Sequence, residues 1–241
     1  MSVKEHYDNH LGNFYSWMVG DFEIKQNEQQ DYFESRNIRP TSTGQAIDLG
    51  AGHGIQSISL AKIGFTVKAI DFNRQLLNEL EQNSIGLPIE IINADIKSVR
   101  NYTINNSELI ICAGDTITHL NNIKEVEQLI EDCAGTLYNE GKLILSFRDY
   151  TKAVSGNDRF IFVKSDESRI LTCCLDYFDD KVLVTDLLNS KTEADWKQSI
   201  SSYYKVRITS VKIESFLNKH GFKIQHKDLV NRMVTIIAQK E

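Results

Sequence analysis

Four acidic residues in the first half of the chain each follow a short apolar run, a position where a carboxylate can meet a ligand. They are Asp48, Asp71, Asp95 and, just beyond Gly114, Asp115. The first precedes a turn with glycines at positions 50, 52 and 54, and Asp71 lies 21 residues after the first of these glycines. Nucleotide-binding α/β folds place an acid at this distance to hold ribose hydroxyls. The spacing therefore predicts a nucleoside site.

The details of the glycine turn argue against a pyrophosphate. Its spacing is Gly-x-Gly-x-Gly, whereas the dinucleotide fingerprint requires a glycine where this chain has Ile55. Asp48, directly before the turn, would repel a phosphate but suits a ligand that carries an amine or a sulfonium charge. A nicotinamide-dependent oxidoreductase is therefore the disfavoured alternative.

Strands alternate with helices around these acids. This order predicts an α/β fold with a mostly parallel sheet and helices on both faces. Ligands in such sheets bind beyond the carboxyl ends of the strands, so we expect the four acids to collect at one edge. The predicted strands are residues 46–49, 65–71, 89–93, 109–112 and 141–147, and the helices between them are 55–63, a segment capped by Asn73, and 125–137.

The remainder of the chain has a different pattern. Between residues 159 and 206, short β-type runs separated by turns predict a small antiparallel β insertion after strand five, which we expect to cover the site. A helix and two closing strands then complete a seven-stranded sheet. The runs of the insertion are 160–163, 169–173 and 181–185, and the closing elements are a helix at 208–220 and strands at 222–226 and 233–238.

Residues 3–36 precede the glycine turn and carry apolar and aromatic side chains at steps of three and four. The pattern predicts two helical pieces with a bend at Gly20 and Asp21. Two interpretations stay open at this point. The aromatic stripe either packs on the edge of the sheet or closes over the ligand as a lid.

Composition favours a small-molecule ligand. The chain has 241 residues, a formal net charge of −6 and no dense Lys/Arg tract, which argues against nucleic acid and anionic membranes as partners. Its four cysteines lack Cys-x-x-Cys spacing, and no metal site is implied. The N-terminal residues form no apolar signal region, and no run of 18 apolar residues occurs, so we expect a cytoplasmic protein. A homodimer is left open.

The motifs around the glycine turn resemble those of the class I S-adenosylmethionine-dependent methyltransferases. Residues 48–54 are similar to the first motif of that family, Asp71 to its ribose-binding acid, and residues 93–96 to the segment that contacts the adenine. The resemblance covers about residues 45–150. It implies a Rossmann-like sheet, S-adenosyl-L-methionine as cofactor and S-adenosyl-L-homocysteine as product.

The same resemblance implies an organisation and a set of cofactor-binding residues. We expect a single methyltransferase domain over 1–241, with a helical lid (1–44), a cofactor-binding core (45–150), the insertion (151–206) and a closing helix and strands (207–241). Segments before the first motif commonly close over the cofactor in this family, which makes Tyr15, Trp17 and Lys25 candidates for its methionine end. The remaining candidates are Asp48, Gly50, Ala51, Gly52, Asp71, Phe72, Asp95, Ile96 and Ala113.

The fourth and fifth strand ends resemble those of the glycine and sarcosine N-methyltransferase group. Arg148 matches an arginine that holds the substrate carboxylate there, while Asp115 replaces an amide. The resemblance implies a small amine or amino-acid-like acceptor, with Asp115, His119 and Arg148 as catalytic candidates. Either Asp115 or His119 would take the proton of the amine. An O-methyltransferase of another small metabolite and a non-catalytic S-adenosylmethionine-binding protein are the alternatives.

Overall fold

The structure, a computed structural model, describes residues 1–102, 107–230 and 232–241, which form two β-sheets and seven α-helices within those ranges. The strands are β1 (Gln45–Leu49), β2 (Thr66–Asp71), β3 (Ile89–Asn93), β4 (Ser107–Cys112), β5 (Leu137–Arg148), β6 (Phe160–Ser165), β7 (Arg169–Tyr177), β8 (Lys181–Lys191), β9 (Trp196–Val206), β10 (Phe222–Val230) and β11 (Met233–Lys240). The helices are α1 (Val3–Asn9), α2 (Tyr15–Val19), α3 (Phe22–Ser35), α4 (Ile55–Lys62), α5 (Arg74–Asn83), α6 (Ile123–Thr136) and α7 (Ser210–Lys219).

The larger sheet has seven strands in the order β10-β11-β5-β4-β1-β2-β3. Strands β1 to β5 are parallel, and β11 pairs antiparallel with both β5 and β10. This confirms the predicted Rossmann-like, mostly parallel sheet. The carboxyl ends of β1 to β5 therefore meet at one edge, where the candidate acids lie at or just beyond the ends of their strands.

Helices cover both faces of this sheet because the central strands are apolar on both sides. In β4, Ile110 packs with α6 and α7, whereas Leu109 and Ile111 pack with α3 and α4 on the opposite face. The polar capping residues act as predicted. The Asn73 side chain accepts a hydrogen bond from Leu76 N–H at 3.0 Å and starts α5.

The smaller sheet is antiparallel, with strands in the order β6-β7-β8-β9. It follows β5, as the predicted insertion does, but it has four strands rather than the three predicted runs. The fourth, β9, was missed because its inward positions carry Ser201, Tyr203 and Lys205, which do not form an apolar stripe. The pattern that identifies a half-buried strand is absent when the buried face is polar.

The N-terminal segment forms three α-helices rather than two helical pieces. Helix α2 ends at Gly20, as predicted, and the break between α1 and α2 contains a 3-10 turn, Leu11–Asn13. The longest helices in the described ranges, α3 and α6, have 14 residues each. A helix that crosses a bilayer needs about 20 apolar residues, and none of the described helices qualifies.

Candidate functional site

A cavity of about 930 Å³ lies between the carboxyl edge of the large sheet, the N-terminal helices and the inner face of the small sheet. This volume is near the upper end of the range for small-molecule sites, roughly 300–1,000 Å³. One end of the cavity is formed by the glycine turn and Asp71, and the other by Arg148 and Lys205. The cavity therefore joins the predicted nucleoside site to the ends of strands four and five.

The glycine turn includes a position where a side chain would not fit and a position that faces the cavity, both with positive φ. Gly50 has a φ of 78°, and a Cβ on it would lie 2.4 Å from Cγ2 of Thr116. Gly52 has a φ of 55°, and its Cβ would point towards the ring of Tyr15 across the cavity. A ligand can therefore approach the backbone of this turn directly.

Asp71 is fixed between the turn and the start of α5. Its Oδ2 accepts the Gly52 N–H at 2.9 Å and its Oδ1 accepts the Asn73 N–H at 2.8 Å. Burial raises the pKa of Asp71, although these backbone donors oppose the shift. Each oxygen keeps a second lone pair, so the carboxylate can accept two hydroxyl hydrogens of a ligand.

A predominantly apolar wall continues from Asp71 along the ends of β2 and β3. Phe72, Ile96 and Ala113 line the cavity, and the ring of Tyr7 packs edge-on against Phe72 at 5.6 Å. Asp95 stands at the rim, where its carboxylate is exposed and accepts the Lys97 N–H. These surfaces suit a flat aromatic group with an amine at its edge.

The other end of the cavity contains a buried ion pair. The Asp115 Oδ2 accepts hydrogen bonds from the Lys205 ammonium at 2.5 Å and the Tyr150 hydroxyl at 2.7 Å, while its Oδ1 accepts the Arg148 N–H at 2.9 Å. Burial raises the pKa of Asp115, but the adjacent Lys205 and the Arg148 N–H outweigh it and the net pKa is lowered. Asp115 is therefore an ionised anchor with few lone pairs left for a ligand.

The Arg148 guanidinium lies beside this pair and remains open to the cavity. Its closest carboxylate oxygen is Oδ2 of Asp115 at 3.9 Å, beyond hydrogen-bond distance, and its side chain is 45% exposed. Arg148 and Lys205 thus place two positive charges around one carboxylate. This end of the cavity is suited to an anion, which a guanidinium can hold through two parallel hydrogen bonds.

His119 lines the cavity between two tyrosines. Its ring lies 5.6 Å from that of Tyr203 and 5.7 Å from that of Tyr7. The pKa of His119 is lowered to about 3, mainly by burial and also by the nearby Lys205. Its Nε2 has no hydrogen-bond partner in the described structure, so the neutral ring can offer that nitrogen to a ligand.

Comparison with known proteins connects this geometry to a family. The family described as a methyltransferase domain matches residues 46–141, which contain the glycine turn, Asp71 and the loop after β4. The chain contains a class I S-adenosylmethionine-dependent methyltransferase domain. S-adenosyl-L-methionine is the cofactor of that domain. The glycine turn and Asp71, together the cofactor cradle, lie within the matched residues, and their assignment to its adenosine stays a prediction.

The relatives of this methyltransferase are distant. The glycine/sarcosine/dimethylglycine N-methyltransferase of Actinopolyspora halophila is 26% identical over 129 residues, 52% of this chain and 23% of that protein. The glycine/sarcosine N-methyltransferase of Halorhodospira halochloris is 25% identical over 132 residues, 54% of this chain and 49% of that protein. The match thus spans half or less of the length of these relatives.

Solved methyltransferase structures share the fold over nearly the whole chain. An S-adenosylmethionine-dependent methyltransferase from Clostridium acetobutylicum superposes with a TM-score of 0.73 at 17% identity, covering 97% of this chain and 96% of that one. An amino pentose methyltransferase from Micromonospora echinaspora, solved with S-adenosylmethionine bound, gives 0.73 at 12% identity over 93% and 94%.

Three predicted cofactor residues of the methyltransferase lie away from the cavity. The Asp48 carboxyl accepts the Ser57 hydroxyl at 2.7 Å, within the core beside α4. The Trp17 indole N–H donates to Asp166 at 2.6 Å, and Lys25 pairs with Glu28 on the exposed side of α3. The chain turns at Gly20, and α3 then packs along α4.

Other side chains of the N-terminal helices occupy the positions expected of Trp17 and Lys25. Tyr7, Tyr15 and Met18 line the cavity, with Tyr15 facing Gly52. Tyr15 was among the predicted candidates, whereas sequence reasoning missed Tyr7, Met18, Tyr150, Asp186 and Lys205. Tyr7 and Met18 continue the three- to four-residue spacing of the apolar stripe, which was a usable signal. Asp186 and Lys205 are polar residues on strands whose pairing the sequence did not reveal.

Proposed function

We propose that this methyltransferase transfers a methyl group from S-adenosylmethionine to the nitrogen of a small amine that also carries a carboxylate or similar anion. The observation that carries the proposal is the open Arg148 guanidinium at the far end of the cavity that contains the cofactor cradle. Within the described residues this guanidinium makes no side-chain hydrogen bond, which leaves it available to an anionic acceptor.

The bound cofactor supplies an electrophilic methyl group on a sulfonium, and the protein positions the acceptor. Asp71 and the Gly52 backbone fix the nucleoside end, and Arg148 orients the acceptor. Exclusion of water and alignment of the reacting atoms can lower the barrier by about 7–11 kcal/mol in favourable cases. We assign these roles to residues 1–44 as a lid and to the small sheet, within residues 151–206, as a roof.

The proton of the amine does not go to Asp115 in this proposal. Asp115 already accepts three hydrogen bonds, one from the Lys205 ammonium. His119 has a free Nε2, but the low pKa of its ring makes it a weak base. We therefore assign Asp115 to holding Lys205 and the Arg148 backbone in place, and His119 to orienting the nitrogen lone pair through Nε2 or a bound water.

The names of the curated relatives and of a solved structure with the same fold support an amine acceptor. The curated relatives are named for glycine and sarcosine N-methylation, and a solved structure of the same fold is an amino pentose methyltransferase. O-methylation is less well supported because a neutral hydroxyl acceptor would leave Arg148 without a partner. A non-catalytic binding protein is less well supported because the space beyond the cradle is open and polar rather than filled by side chains.

Two measurements test the proposal. Titration with S-adenosylhomocysteine and with NADH should show binding of the first alone. A screen of amino acids, amines without an anion, and phenols, using labelled S-adenosylmethionine, should then show methyl transfer to amino acids at the highest kcat/KM. A phenol or a polymer as the best acceptor would overturn the acceptor assignment and leave the methyltransferase domain unaffected.

A further inference from the structure

A second charged group lines the cavity, and neither the cofactor cradle nor the Arg148 end uses it. Asp186 is on β8, the second of the two central strands of the small sheet, and its side chain is 8% exposed. It faces the cavity between its cross-strand neighbours Cys173 and Ser201. A carboxylate that is buried to this degree normally has a cation or several hydrogen-bond donors beside it.

Asp186 has an incomplete set of partners within the described ranges. No Lys or Arg nitrogen there lies within 4 Å, and no side-chain or backbone donor forms a hydrogen bond to its carboxylate. The one close group is Nε2 of His6, at 3.2 Å from Oδ2 but out of line for a hydrogen bond. His6 is fully buried, with Nδ1 2.8 Å from the Ser201 hydroxyl and its ring stacked on Tyr203 at 4.2 Å.

The position of Asp186 relative to Lys205 gives the cavity two poles. Asp186 of β8 pairs with Ser201 of β9. Lys205 lies four residues beyond Ser201 on β9, on the same inward face. Four residues of strand span about 13 Å. The positive pole at Lys205 and Arg148 is thus separated from the negative pole at Asp186 by one intervening pair, Val184 and Tyr203.

We propose, building on the proposed function, that Asp186 binds the ammonium of the acceptor while Arg148 binds its anion. The separation of the poles selects acceptors whose amine and anion are several bonds apart, such as ω-amino acids or amino sugar acids, over α-amino acids. Asp186 touches the substrate and is a catalytic residue in this scheme. His6 acts through Asp186 and is a positioning residue, which couples closure of helix α1 to acceptor binding.

The chemistry balances with groups that the site contains. The bound ammonium gives one proton to the Asp186–His6 pair and becomes a neutral amine. Its lone pair then forms the N–C bond as the S–C bond of the sulfonium breaks, and that electron pair stays on sulfur. The methylated ammonium product carries the positive charge, and the proton on the Asp186–His6 pair passes to solvent when the site opens.

The experiment compares Asp186→Asn with the wild type on matched probes of the same length. We would use 4-aminobutyrate as acceptor, 4-hydroxybutyrate as an inhibitor that lacks the ammonium, and glycine as the short amino acid. Asp179→Asn is the control, because it removes the same charge from the exposed β7–β8 turn. S-adenosylhomocysteine affinity and thermal unfolding of each variant report whether the cradle and fold are intact.

We expect wild-type kcat/KM to be higher for 4-aminobutyrate than for glycine. Asp186→Asn should lower kcat/KM for 4-aminobutyrate roughly 10- to 100-fold, the range for a hydrogen bond to a charged group. Inhibition by 4-hydroxybutyrate should stay within about twofold, and Asp179→Asn should resemble the wild type. His6→Gln should shift the pH dependence of kcat for the amine without changing S-adenosylhomocysteine binding.

Two results separate the failure of this inference from the failure of the proposed function. If amines are methylated but Asp186→Asn lowers kcat/KM for 4-aminobutyrate less than threefold, the assignment of Asp186 is wrong while the amine acceptor stands. The same conclusion follows if the variant weakens turnover of 4-aminobutyrate and inhibition by 4-hydroxybutyrate equally. If no amine is methylated or bound by the S-adenosylhomocysteine complex, both proposals are overturned.

Discussion

Lys205 reaches from the small sheet to Asp115 at the end of the large sheet, and the two side chains form an ion pair of which both members are almost fully buried. The ammonium also lies over the rings of Tyr150 and Tyr203, at 5.5 and 5.7 Å. This contact joins the loop after β4 to β9. It therefore fixes the position of the small sheet over the cavity relative to the large sheet.

We expect Lys205→Met to lower the free energy of unfolding by about 3–5 kcal/mol, since it removes the directly bonded counter-charge of the buried Asp115 carboxylate and leaves only the half-exposed Arg148 at 3.9 Å. The double variant Asp115→Asn/Lys205→Met should recover part of this loss. Lys219→Met removes an exposed pair with Glu127 and should cost much less, because solvent screens that pair. Denaturant unfolding of the four proteins gives the comparison, and equal losses for the two single Lys variants would contradict it.

The same pair should set a pH window for stability. The folded pKa of Asp115 is lowered, so its contribution is present above its unfolded pKa, about 3.9, and is lost as pH falls. Burial lowers the pKa of Lys205, but Asp115 and Tyr203 outweigh it and the net pKa is raised. That contribution is present below about pH 10.4 and is lost as pH rises through the folded pKa. The difference in free energy of unfolding between the wild type and the double variant should therefore be smallest at low pH and at high pH.

Asp48 should make the protein less stable as pH rises through neutrality. Burial raises its pKa to about 7, so the folded state favours the protonated acid. This contribution is fully present below about pH 3.9 and is lost as pH rises through 7. Asp48→Asn keeps an acceptor for Ser57, and its stability relative to the wild type should increase by roughly 3–4 kcal/mol between pH 4 and 8. The exposed Asp31→Asn should show no such trend.

Asp71→Asn should weaken S-adenosylhomocysteine binding through the ribose hydroxyls. Hydrogen bonds to a charged group contribute about 1.5–3 kcal/mol each, which predicts a loss of at least tenfold by calorimetry. Asp95→Asn should cost less because the Asp95 carboxylate is exposed at the rim. Unchanged affinity of a correctly folded Asp71→Asn would reject the ribose assignment.

Arg148→Glu should abolish most turnover of anionic acceptors and spare those without an anion. We expect kcat/KM for an amino acid to fall at least 100-fold and that for the corresponding amine to change only a few fold. Arg159→Glu is the control, because Arg159 pairs with Asp176 outside the cavity. Comparable losses with both acceptors would show that Arg148 supports the structure of the site rather than recognition.

The N-terminal helices should become protected when the cofactor site is filled. Tyr7 and Tyr15 line the cavity, so a bound adenosyl ligand adds contacts that hold α1 and α2 in place. Trypsin cleavage after the exposed Lys4 of α1 should slow at least threefold with saturating S-adenosylhomocysteine, while cleavage after Lys219 should not change. Equal rates at Lys4 with and without ligand would leave this segment as edge packing.

The sequence by itself determined the large sheet and the cofactor cradle. Apolar runs such as 109–112 are buried on both faces, so their strand character shows in every residue. The glycine turn and Asp71 depend on local geometry, because the single β-α-β unit from β1 to β2 places them. These features follow from neighbours close in the chain, which makes them visible as spacing.

Only the tertiary structure decided what lies opposite the cradle. Asp115 resembled a catalytic acid until Lys205, 90 residues away, was found beside it. His6, the group beside Asp186, is still more distant in the sequence, because it lies near the N-terminus. Whether a carboxylate is a free base, an anchor or a ligand group depends on the charges and donors around it. Those neighbours come from strand pairing and helix packing, which no local pattern specifies.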